Sequence, residues 1–152
     1  MRHVHRAEPA EARSDKERLT TPDVPEAQLT ELAAGNTAFA LDLYQAIRET
    51  DGNLFFSPHS ISTALAMTYA GARGETEREM AETLHYTLPQ AELHAAFNAL
   101  DLELAQRAEV NDEFPSQPFQ LDIANSVWGQ RDFTFLEAYL DTLAEHYGAG
   151  LR

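Results

Sequence analysis

Glu82-Thr-Leu-His85 has the Glu-x-x-His spacing that puts a carboxylate and an imidazole on one face of a helix, as carboxylate-bridged metal sites do. Such sites need a second copy and two further carboxylates. The motif occurs once here, so a solvated polar face is the better reading and no metal site is expected. His3 and His5 would hold a metal only loosely. The chain has no cysteine, which removes thiolate nucleophiles, disulfides and cysteine-ligated zinc. No Gly-x-Ser-x-Gly elbow, phosphate loop or dinucleotide fingerprint is present, and Gly71-Ala-Arg-Gly74 is too short to cradle a phosphate. No catalytic residue and no cofactor is therefore assigned, and the chain is not expected to be an enzyme.

Hydroxyl and amide groups offer a different chemistry. In Ser57-Pro58-His59-Ser60-Ile61 a serine that can accept a backbone N–H precedes a proline that lacks the donor the first helical turn would leave unpaired. Small hydroxyl side chains at a helix start let a sheet pack close while offering exchangeable hydrogen bonds of about 1 kcal/mol each. Asn125 falls on the apolar face of an alternating segment, where its amide needs a partner. N-capping alone accounts for the serine-proline pair about as well as a functional role does, and a neighbouring loop is the commoner partner for such an asparagine.

The elements that must position these groups are mostly helices. Leu32, Asn36, Phe39, Leu43 and Ile47 share one face of a long amphipathic helix ending near Thr50. Asn53 to Phe56 reads as a short buried strand after the Asp51-Gly52 turn. The helix from Pro58 to Ala70 mixes small with apolar residues on nearly every side, predicting a central position, and Gly71 and Gly74 end it. Thr76 with Glu79 forms a capping-box pattern for a third helix carrying Met80 and Leu84. Pro89 to Ala108 is a fourth, with Leu93, Phe97, Leu100 and Leu104 in register, and residues 109 to 118 are a polar loop. Phe119, Leu121, Ile123, Asn125 and Val127 then alternate with Gln120, Asp122, Ala124, Ser126 and Trp128, the signature of a strand. Thr134 with Glu137 caps a last helix that Gly148 and Gly150 break.

The 152 residues carry 11 basic and 25 acidic side chains, a net charge of −14. That charge repels phosphate backbones and anionic lipids, so neither nucleic acid nor a membrane is an expected partner. Residues 1 to 27, rich in charge and containing Pro9, Pro22 and Pro25, predict a disordered tail with no apolar core for a signal peptide. Five helices with two separated strands, one of them long, read as an incomplete domain, because a long half-apolar strand needs neighbours.

The run from Asn53 to Met67, continuing through Gly71-Ala-Arg-Gly-Glu-Thr76 and Met80-Ala-Glu-Thr-Leu-His85, resembles the segment of serpins that holds helices B and C. Asn36 to Tyr44 is similar to serpin helix A, Leu121 to Gln130 to strand 2 of sheet A, and Phe133 to Gly150 to helix E. The resemblance runs over residues 29 to 152 in family order. It implies an α+β fold of helices packed on large mixed sheets, of which residues 28 to 152 would be a mostly helical N-terminal portion.

By the same resemblance, Ser57, Pro58, Ser60, Ile61 and Asn125 belong to the shutter region, where sheet A parts to admit a cleaved reactive-centre loop. The full-length form is expected to inhibit a serine protease as a suicide substrate, with a non-inhibitory carrier or folding factor, or a truncated helical binding module, as alternatives. The reactive-centre loop has no counterpart among these residues, so they would supply only the stationary half of the device. The helix at 89 to 108 carries Glu92, Asp101 and Glu103 against Arg107, so heparin is not an expected partner. Many family members are extracellular, which the N-terminus here does not signal.

Overall fold

The computed structural model describes residues 12–109, 121, 123–130 and 132–151. Among them, helices α1 (Glu26–Ile47), α2 (Pro58–Tyr69), α3 (Gly74–Leu84), α4 (Gln90–Glu109) and α5 (Glu137–Tyr147) follow in order. α1 packs on α2, α3 and α4, while α5 lies on α4. The main core joins Leu32 and Phe39 of α1, Ala66 and Tyr69 of α2, Leu84 of α3 and Leu93, Ala96 and Phe97 of α4. A second cluster sets Met67 of α2 against Leu143 of α5 and Leu151, with Val127 and Phe135 at its edge.

The composition of α2 explains why it bridges both clusters. Its small residues let neighbours approach: Ser62 and Ala66 are fully buried, and of its residues only Thr68 is exposed. Tyr69 and Tyr86 rings meet at 5.3 Å, and Tyr86 meets Phe97 edge-on at 5.9 Å, orienting the α2 to α4 contact. Apolar spacing in α1 and α4 places Leu32, Phe39, Leu93 and Phe97 inside, as the periodicity requires.

Helix ends differ from expectation in instructive ways. α1 stops at Ile47, one turn early. α3 begins at Gly74, whose φ of +63° lets the chain turn directly into the helix after extended Arg73; Thr76 therefore lies inside the first turn and caps nothing. Arg73 instead serves the end of α2, donating to the carbonyls of Ala70 (2.9 Å) and Ala72 (2.6 Å). Likewise Leu136, not Thr134, is the N-cap of α5, without a side-chain bond. Gly148 closes α5 at φ +60°, as its sequence position demands.

Asn53 to Phe56 does not form the expected buried strand. The segment is irregular and Phe55 is fully exposed, because no strand among the described residues offers it a ladder. The alternating segment fares better. Ile123, Asn125, Val127 and Gly129 are half-buried while the residues between them are exposed, so the period of two survives in burial. Its one ladder contact among the described residues is a parallel bridge from Val127 to Leu151. Phe119, Gln120 and Asp122, and the loop expected beyond residue 109, lie outside the described residues, as do His3 and His5. The large mixed sheets of the expected fold class are thus not seen among these residues; the mostly helical portion is.

Residues 12–25 fall in the stretch expected to be loose, and here residues 12–19 contact α4, α5 and Leu151. Ala12 exchanges backbone hydrogen bonds with Leu151 (3.0 and 2.9 Å), and Leu19 N–H donates to the Glu145 carbonyl (2.9 Å). Polar and ionic partners, not apolar periodicity, make these contacts.

Candidate functional site

The site is built where α2 begins. Ser57, in extended conformation, caps α2 by accepting the Ser60 N–H at its Oγ (3.2 Å), and its carbonyl accepts from Ile61 N–H (3.1 Å). Pro58 occupies the first helical position, and Ile61 packs against the main core. The cap fixes the rotation of α2, which aims Ser60 away from the core and toward the extended segment. There Ser60 Oγ donates to Asn125 Oδ1 at 2.9 Å, joining residues 65 apart in sequence. Four of the candidates thus sit on one helical turn, and the fifth reaches them through its side chain.

Beside this contact lies a cavity of about 140 Å³ lined by Thr63 and Met67 of α2, Phe97 and Asp101 of α4, Asn125, and Tyr147 of α5. Ile123, Ala124 and Asn125 of the extended segment form one of its walls.

Sequence reasoning missed a second polar network two residues further along α2, at Ser62. Ser62 Oγ donates to Asn36 Oδ1 (2.7 Å), and Tyr86 Oη donates to the Ser62 carbonyl (2.7 Å). Burial pushes the Tyr86 hydroxyl well above its ordinary pKa, so it stays a donor. The signal was present: Asn36 occupies a core-face position of α1, where an amide demands a partner. Also missed were His94 and Asn98, one turn apart on α4 and both buried. Glu82 and His85 are not brought together. Glu82 pairs with Arg78 (2.7 Å), whereas His85 ends α3 in the left-handed region and faces Asp42 (2.7 Å).

The family model described as serpin (serine protease inhibitor) matches residues 34–152. The chain belongs to the serpin family. Curated relatives agree: it is 36% identical over 125 residues to leukocyte elastase inhibitor A of Mus musculus, covering 81% of this chain and 31% of that protein. It is 38% identical over 125 residues to leukocyte elastase inhibitor of Bos taurus (81% and 30%), and 38% over 122 residues to that of Xenopus laevis (79% and 30%). This serpin chain spans about three-tenths of the length of these relatives. The mostly helical structure fits that partial span.

Proposed function

We propose that this chain is the N-terminal part of a serpin that inhibits a serine protease as a suicide substrate, with Ser57, Pro58, Ser60, Ile61 and Asn125 as the hydrogen-bonded latch of its shutter. The observation that carries the reading is the Ser60 to Asn125 bond, which ties the start of α2 to an extended segment whose ladder contact among the described residues is a single bridge. A bond of about 1 kcal/mol between neutral groups is strong enough to set register and weak enough to exchange when strands part. The shutter role rests on family resemblance joined to that geometry. Elastase-type proteases are the first target to try, given the names of the relatives, and neither heparin nor nucleic acid is an expected partner of so acidic a surface.

The test uses the full-length gene product incubated with neutrophil-type elastase, chymotrypsin and trypsin. Inhibition by this mechanism gives a covalent complex that survives denaturing electrophoresis, and Ser60→Ala or Asn125→Ala raises the number of inhibitor molecules consumed per enzyme by about two- to fivefold, as expected for one lost hydrogen bond. Cleavage without any stable complex for all three enzymes overturns the inhibitory reading in favour of a carrier or folding factor. Complexes formed equally well by both variants would retain inhibition and remove the latch.

A further inference from the structure

Residues 12–19 lie ahead of the family match, which begins at residue 34, yet they are fastened to the body at every second position. Five of the 11 basic side chains fall in the first nineteen residues; beyond them stand six basic against twenty-one acidic. The segment carries its cations to that acidic body. Lys16 Nζ lies 3.1 Å from Asp141 and 2.9 Å from Glu145 on α5, and Arg18 Nη2 lies 2.6 Å from Asp101 on α4. Ser14 Oγ adds a bond to Asp141.

Two features mark a built seat. Asn98 is fully buried, and both ends of its amide go to this segment: Oδ1 accepts from Arg18 Nε (2.9 Å) and Nδ2 donates to the Leu19 carbonyl (2.7 Å). A buried amide with no other partner among the described residues would be costly without the segment in place. Secondly, Ala12 uses both backbone groups on Leu151, which also bridges Val127, so the segment adds a second bridge to Leu151. Arg18 also forms part of the wall of the cavity beside Asn125.

We propose that residues 12–19 are a salt-releasable strap that clamps α4 to α5, bridges Leu151 through Ala12 and walls the cavity beside Asn125 with Arg18. Its fastening is ionic and polar. Leu19 is 45% exposed, and Ala12 is its one apolar contact with the second core cluster. Screening therefore loosens it while the helices, held by apolar burial, stay formed. Release frees the Leu151 backbone groups from Ala12 and unseats Asn98. This strap is independent of whether the protein inhibits a protease.

Amide hydrogen exchange on the full-length gene product tests it, read at Ala12, Leu19 and Leu151 against amides of α2 and α4. Raising sodium chloride from about 0.05 to about 0.5 M speeds exchange at the three strap amides about tenfold and leaves the helices protected. Asp141→Asn with Glu145→Gln, which leaves the strap sequence untouched, gives the fast rate already at low salt. Strap amides that are unprotected at every salt concentration, or that exchange only together with α2 and α4, overturn the proposal. Should the double variant lose helical circular dichroism, the salt series on the unaltered chain decides alone.

Discussion

His94 shows how one buried residue sets a pH dependence. Its Nδ1 pairs with Tyr147 Oη at 2.7 Å, while its Nε2 and the Nδ1 of His146 have no hydrogen-bond partner among the described residues. Burial pushes the His94 pKa down to about 4, helped by the neighbouring His146 ring and the Arg73 charge; burial lowers His146 and His59 too. An unfolded histidine takes its proton near pH 6.5, the folded one only near 4. Stability is thus fully present above about pH 6.5 and is lost as pH falls toward 4, by on the order of 3 kcal/mol from His94. Stabilities from urea unfolding at pH 7.5 and 5 should differ by about 2 kcal/mol of that, since pH 5 lies above the folded pKa, and His94→Gln should remove most of the difference. At the candidate site, Ser60→Ala and Asn125→Ala should each cost about 1 kcal/mol, and a double-mutant cycle should return a coupling of about 0.5 to 1 kcal/mol. A coupling near zero would mean the two side chains act separately. Of the site, sequence indicated Ser57 and Pro58 through capping chemistry and Asn125 through its place on an apolar face. It did not indicate that Asn125 meets Ser60, because no local pattern encodes a contact across 65 residues.

At the scale of elements, Gly35 separates propensity from packing. It lies inside α1, where alanine is the better helix former by about 1 kcal/mol. A Cβ there would stand within contact-forbidden range of the His85 carbonyl oxygen, the backbone at the end of α3. Backbone cannot swing aside like a side chain, so overpacking of about 1 to 3 kcal/mol outweighs the propensity gain. Gly35→Ala should therefore lower the thermal midpoint, and a rise would show that the α1 to α3 contact is looser than drawn. Ser57→Ala should cost about 1 kcal/mol through the lost cap. The capping boxes expected at Thr76 and Thr134 failed where Ser57 succeeded. Gly74 with its positive φ, and the exposed Leu136, start those helices at other residues, a choice of backbone path that the four-residue motif does not contain.

For the whole molecule, apolar surface left in water is the main consequence. Phe55 is fully exposed, Leu136 77%, Trp128 68% and Phe133 62%. Side chains of this size left bare promote association. The 152-residue chain should bind a hydrophobic dye and sediment heavier as concentration rises. Phe55→Ser with Leu136→Ser should reduce both effects while shifting the urea midpoint by less than about 0.5 kcal/mol equivalent, since neither side chain is buried. Equal dye binding by wild type and variant would place the sticky surface elsewhere.

Sequence by itself determined the helices, their inward faces, the cap at Ser57, the absence of an enzyme's usual nucleophile motifs and the serpin resemblance. All of these rest on local spacing, which residue types dictate through backbone geometry and burial. Tertiary structure alone decided that Asn125 meets Ser60, that Asn36, Ser62 and Tyr86 form a network, that His94 and Asn98 are buried, and that residues 12–19 contact α4, α5 and Leu151. Each is a match between groups distant in the chain. Polar partners are chosen by where folding brings them, and unlike an apolar stripe they leave no period in the sequence to be read.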